Sequence, residues 1–421
     1  MIKKPKLLWV GDAVCHTGFA RVTHNVIPYL QEHWDVAVLG INYHGDPHSY
    51  PYPIYPASTN SREDMWGLAR LPSVVKKFNP DIILVNNDPW NVIRYIEDME
   101  VPVVTYMPVD APNMRPLVTK KLQKAALNIC YTQFGCDELA KAGLSTISMA
   151  IVPHGVDGEL YRPMDKMKAR AALGFTGKIP DDSYIVGNVN RNQPRKRLDL
   201  TIMSFAKWVQ KNNIPENVYL HFHCGLRDVG YDIFQLVDYF GLAGRVLISD
   251  AQLKDSIGVD EKIMPYVYNC FDVQISTTLG EGWGLTTHEG MACGIPQIVP
   301  EWSALGEWPH GAVRYVPISG MQALAGGINT IGGVVSEDAM AKALDQMYRN
   351  SDVRAEYSKL AYERATETRF TWASVSAEML ALLGKVIGKP TFDSKNTATG
   401  LLDALESIPA SELEGRNGIH G

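Results

Sequence analysis

The chain has 421 residues, enough for two or three domains with cores of their own, and its 46% hydrophobic, 20% charged composition is that of an ordinary soluble globular protein. A net charge of −6 excludes any overall attraction to nucleic acid or anionic lipid, leaving only local basic patches. Six scattered cysteines without a C-x-x-C pair argue against a zinc site or a disulfide framework and read as reduced thiols.

Taken in chain order, short apolar runs alternate with helical patterns. Leu7 to Val10 reads as a strand ending at Gly11, and Ala20 to Glu32 as a helix with Val22, Val26, Ile27 and Leu30 on one face. Strands follow at Val36 to Gly40, Ile82 to Val85, Val103 to Tyr106, Ile129 to Thr132 and Ile151 to Pro153, with helices at Met65 to Phe78 and Met114 to Ala126. Residues 44–60, rich in proline and tyrosine, read as an irregular loop and a contact surface. After a linker around Asp157 to Asp182, which holds a short helix from Lys166 to Leu173, the pattern restarts. Its strands are Ile185 to Val189, Val218 to His223, Val246 to Ile248, Val273 to Ser276, Gln297 to Val299 and Arg314 to Pro317. Leu198 to Lys211 and Tyr231 to Phe240 are helices between them, and Glu337 to Met347, Val353 to Glu367 and Trp372 to Ile387 close the series. Alternation of this kind predicts two doubly wound parallel sheets with a ligand cleft between them. The expected domains are 1–160 and 161–371, with 372–388 as a crossover helix and 389–421 as a flexible tail. The short N-terminal lead is not a signal peptide and no apolar run reaches a membrane span, so a cytoplasmic protein without integral membrane association is expected.

The most informative stretch runs from Glu281 to Val299. Glu281 is followed by Gly282, Trp283, Gly284 and Leu285, then Thr286, and a second carboxylate arrives at Glu289. Strand, glycine-rich loop and helix leave backbone N–H groups pointing together at the positive end of a helix dipole, where a phosphate or sugar hydroxyl can be held. Glu289 can accept hydrogen bonds from vicinal hydroxyls such as those of a ribose.

This segment resembles the E-x7-E signature of retaining glycosyltransferases of family 4, which have the GT-B fold of two Rossmann-like domains. The Gly18 turn after the first strand resembles the place where family members bring backbone beneath donor and acceptor. Arg191 and Lys196, five positions apart after a second-domain strand, resemble the pair that binds the donor's phosphates. Residues 152–157 (VPHGVD) resemble the turn that crosses between domains, with His154 as a hydrogen-bonded turn residue. The resemblance implies a nucleoside-diphosphate sugar as co-substrate, no cofactor and no metal. Glu281 would orient the sugar, and Gly282, Gly284, Leu285, Thr286 and Glu289 would hold the nucleotide. One departure stands out: residues 103–112 (VVTYMPVDAP) lack the histidine many members place there, and Asp110 is the nearest polar group, as sugar or acceptor ligand, base, or helix cap. A nucleotide-sugar epimerase or a non-catalytic sugar-nucleotide binder are the alternatives. The acceptor is left open between polysaccharide, small molecule, protein and a hydroxylated DNA base, the last through a basic track at Lys120, Lys121 and Lys124. Oligomeric state is not readable. Arg195 and Arg197 read as a solvated charge run, and His221 and His223 as strand packing rather than metal ligands.

Overall fold

The computed structural model describes residues 3–60, 63–97, 99–249, 259–325 and 328–388. The first sheet contains β1 (Lys6–Asp12), β2 (Asp35–Ile41), β3 (Ile54–Pro56), β4 (Ile82–Asn86), β5 (Val103–Met107), β6 (Leu127–Cys130) and β7 (Met149–Ile151), all parallel, in the order β3-β2-β1-β4-β5-β6-β7. Its helices are α1 (Gly18–Gln31), α2 (Leu71–Phe78), α3 (Pro89–Val92), α4 (Pro116–Leu122) and α5 (Gln133–Lys141). The central strands are continuous apolar runs because both faces are covered: Leu7 and Trp9 join one core cluster while Leu8 and Val10 join another.

After α6 (Lys166–Ala172), a second parallel sheet contains β8 (Tyr184–Val189), β9 (Val218–His223), β10 (Val246–Ile248), β11 (Val273–Ile275), β12 (Gln297–Pro300) and β13 (Arg314–Val316), in the order β10-β9-β8-β11-β12-β13. Helices α7 (Leu198–Lys211), α8 (Ile233–Tyr239), α9 (Met264–Asn269), α10 (Leu285–Ala292), α11 (Glu337–Arg349) and α12 (Ser351–Ala365) cover it. An antiparallel hairpin, β14 (Ile318–Ala323) and β15 (Ile331–Val335), forms a separate two-stranded sheet. Helix α13 (Trp372–Val386) returns to pack along α1. The two chain crossings lie side by side, Val156 N–H donating to Phe370 C=O at 2.8 Å. One apolar cluster, from Trp9 through Trp283 to Trp372, runs across the junction.

Several expectations need correction. The helix expected from Met65 begins only at Leu71, with Pro72 in its first turn, because Asp64 accepts from the amides of Trp66 (3.0 Å) and Ala69 (2.8 Å) and folds 64–69 into turns. The proline-rich loop contains the edge strand β3, where missing N–H groups are tolerated. Helix α5 and the β14–β15 hairpin are additions to the sequence-based series. The expected tail, 389–421, lies outside the described residues. Among the described residues no helix is long and apolar enough to cross a membrane.

Candidate functional site at the junction of the two sheets

The carboxyl ends of the two sheets meet through glycines. A Cβ on Gly280 would lie 2.0 Å from the carbonyl oxygen of Asp110, and one on Gly282 would lie 2.2 Å from Pro108 Cβ, so only glycine lets the loop after β11 approach the loop after β5. Gly284 has φ +91° and forms the N-cap of α10, a left-handed conformation that turns the loop into the helix. The amides of Thr287 and His288 bond back to the Gly284 carbonyl, which leaves the Leu285 and Thr286 amides at the open end of the helix. Gly18, at the start of α1, faces Leu285: a Cβ there would lie 3.3 Å from Leu285 Cδ1.

Four charges converge on this loop. Glu281 Oε1 lies 2.5 Å from Lys196 Nζ, and its Oε2 lies 3.3 Å from Arg195 Nη1. Arg195 also donates to the Gly280 carbonyl, and its Nε lies 3.3 Å from Asp110 Oδ2, so one guanidinium joins carboxylates of both domains. The short helical turn Pro194–Lys196 is fastened to the loop by the Leu279 N–H donating to the Arg195 carbonyl at 2.8 Å. Burial pushes Glu281 up, but Lys196 and Arg195 together outweigh it and hold the carboxyl at about 2. Burial also raises Asp110 and lowers Lys196, against the pull of their partners. Asp110 caps no helix, since α4 starts beyond Arg115.

Two expected ligands stand apart from this cluster. Arg191 forms a bidentate pair with Asp228 (3.0 and 3.1 Å) and is largely exposed; burial raises Asp12 at the end of β1, against hydrogen bonds from Thr17, Asn42 and Cys15 and, last, the charge of Arg191. Glu289, on the second turn of α10, is buried and bound by Arg21 and by the Tyr268 hydroxyl at 2.5 Å. Burial raises Glu289 despite Arg21 and Tyr268. The Thr286 carbonyl accepts from Gln274 Nε2 at 3.0 Å.

Sequence reasoning missed three residues. Arg195 was read as solvated, yet only 24% of its side chain is exposed; its place beside Lys196 after a buried strand was the available signal. Asp88 follows β4, and burial followed by the nearby Asp110 pushes it up to about 7, with Arg195 pulling back. An Asp-Pro step at a buried strand's end marks it. Arg21 carried no signal, since a cation in the second turn of a helix is usually solvated. His154 is not a hydrogen-bonded turn residue: both ring nitrogens lack partners, and Tyr131, Tyr106, Trp283 and Trp372 surround the ring. His221 pairs with Ser249 at 2.6 Å, and among the described residues no group of His, Cys, Asp or Glu could hold a metal ion.

Two parallel Rossmann-like sheets with charged groups gathered where their strand ends meet define the GT-B class of fold. The solved structures agree. Sucrose-phosphate synthase from Thermosynechococcus elongatus superposes with TM-score 0.69 at 17% identity, over 91% of this chain and all of that one. Anabaena HepE in complex with UDP-glucose gives TM-score 0.68 at 15% identity, over 90% of this chain and 99% of that one. Residues 16–160 match the model of Glycosyltransferase Family 4. D-inositol 3-phosphate glycosyltransferase of Stackebrandtia nassauensis is 28% identical over 244 residues, 57% of this chain and 49% of that protein. The chain thus spans about half the length of the curated relatives it matches. These matches support the family 4 glycosyltransferase relationship read from the E-x7-E segment.

Proposed function

We propose that the protein transfers a sugar from a nucleoside-diphosphate donor to a hydroxyl acceptor, with retention at the anomeric carbon and without a metal. One observation carries this reading: Lys196 and Arg195 meet Glu281 beside the open amides of α10, opposite Asp110 of the other domain. Lys196, with Arg191 and the Leu285 and Thr286 amides, would neutralise the diphosphate as the glycosidic bond breaks. Glu281, ionised at neutral pH, would accept from a donor-sugar hydroxyl, and Glu289 from the ribose. The departing phosphate would take the acceptor's proton, so that no protein nucleophile is needed, while closure of the domains excludes water.

Asp110 would bind a hydroxyl of the sugar or acceptor, in place of the absent histidine. It lies with Asp12 and Asp88 at the ends of adjacent strands β1, β4 and β5, and this acidic edge favours an uncharged polyol over DNA. Inositol and inositol 3-phosphate are the paired acceptors to compare, since the relatives are named for the latter.

UDP-glucose, found with HepE, is the first donor to test, followed by a panel of nucleotide sugars. A bound donor should raise the melting temperature, and Lys196→Ala should weaken that binding by about tenfold or more, the loss of one charge-assisted phosphate contact. Glu281→Gln should reduce UDP release far more than it reduces UDP binding. A panel that leaves the melting temperature unmoved, or variants that turn over like the native protein, would refute the assignment. Product anomeric configuration, read by NMR, tests retention.

A further inference from the structure

Arg21, in the second turn of α1, reaches out of the first domain into the second. Its Nη1 binds Oε1 of Glu289, and its Nε lies 3.2 Å from Oε1 of Glu261. The other oxygen of Glu289 accepts the Tyr268 hydroxyl at 2.5 Å, and Glu261 accepts the Tyr161 hydroxyl at 3.1 Å. Glu289 is buried, with 3% of its side chain exposed, so it has little access to other partners. Both of its oxygens are therefore engaged by protein. Arg21 covers Oε1 with its charged fork, so a ribose diol can span both oxygens only once Arg21 withdraws, while Tyr268 takes one of the two acceptor sites of Oε2 and leaves the other for a hydroxyl.

Building on the donor reading above, we propose that Arg21 is a gate on the ribose subsite, a first-domain cation that the donor's 2′ and 3′ hydroxyls displace from Glu289. Glu261 lies within reach of the same guanidinium and keeps a partner for Arg21 after the exchange, so that no buried cation is stranded. Because Arg21 and Glu289 belong to different domains, the exchange ties nucleotide binding to a change in how the domains meet. The gate lowers donor affinity, since the free protein already satisfies Glu289 and the ribose gains only the difference between two sets of hydrogen bonds. Removing the guanidinium leaves a buried carboxylate short of a partner, which the ribose hydroxyls then supply.

Calorimetric titration of the full chain tests the gate. UDP, GDP and ADP are each titrated, and the tightest is compared with its 2′,3′-dideoxy form on the native protein, Arg21→Gln and Arg21→Lys. Arg21→Gln should bind the intact nucleotide about fivefold more tightly than native, with the dideoxy form unchanged within about twofold. Arg21→Lys, which keeps the charge but loses the fork, should fall between and guards against a folding defect in the glutamine variant. Equal or weaker binding of the intact nucleotide by Arg21→Gln overturns the gate. An equal gain for the dideoxy form also overturns it, by showing that only the domain contact was lost. If no diphosphate binds the native protein, the donor reading falls and the gate with it; binding that ignores Arg21 refutes the gate alone.

Discussion

Arg195 stands between two carboxylates that the chain brings from opposite sides of the junction, Glu281 and Asp110. Such a pair of acids would repel if left facing each other, and burial raises Asp110 even with the guanidinium in place. The planar fork of arginine suits this position, because Nε and Nη1 point in different directions and each finds a different partner. Lys196 neutralises only one acid at contact distance, through Glu281 Oε1. Arg195→Ala should therefore cost about 3 kcal/mol of stability, the typical effect of stranding one side of a buried ion pair. Arg195→Lys should recover part of that loss but not the bond to Asp110. Urea unfolding of the three proteins checks the order, and equal midpoints for native and alanine forms would show that Arg195 is dispensable to the junction.

At the scale of elements, the β14–β15 hairpin connects the second domain to the loop that carries Asp110. The Ile331 N–H donates to the Pro112 carbonyl at 3.1 Å, Asn113 Nδ2 donates to the Asn329 carbonyl at 2.7 Å, and the Gly333 N–H donates to Leu279 at 2.9 Å. Asn113 has φ +72°, which asparagine and glycine adopt more readily than alanine. Asn113→Gly should lose roughly 1 kcal/mol or less with the side-chain bond, and Asn113→Ala about 1 kcal/mol more through backbone strain. Denaturation midpoints in the order native, glycine, alanine are expected, with faster amide exchange at Ile331 in both variants. The hairpin was illegible in the sequence because ISGMQA and IGGVV are short and glycine-bearing and ISGMQA has no buried residue, so the apolar signature of the parallel strands is missing. The parallel sheets were legible for the opposite reason: runs such as LLWV and IILV, buried on both faces, leave little choice of structure. At the junction, Glu281 and Lys196 were legible through their motifs, whereas Arg195 and Arg21 depend on partners about 86 and 268 positions away that no local pattern announces.

For the molecule as a whole, imidazoles withdrawn from solvent in both domains, of which His154 and His288 lie at the junction, contribute to how the fold responds to acid. Burial lowers His24, His223 and His288 to about 4 and His221 to about 3, and it also lowers His154, with help from His288. Each folded pKa lies below the ordinary 6.5, so the unfolded chain takes up protons first. The stability that His24, His223 and His288 contribute is fully present above pH 6.5 and is lost as pH falls through about 4. Asp88 acts in the opposite sense, since its pKa is pushed up to about 7 and the folded state binds its proton more readily. His154 isolates the imidazole contribution best, because neither ring nitrogen has a partner and aromatic rings enclose it beside the chain crossing. His154→Phe removes two unpaired buried polar atoms and should stabilise the protein by about 1 kcal/mol at neutral pH, provided the ring fits the cage. The gain should grow as pH is lowered from 6.5 towards 4, because the phenyl ring has no proton to take up. Urea midpoints of both proteins across that window decide the matter. A gap between them that stays constant or narrows would mean that His154 is charged, or paired, in the folded state.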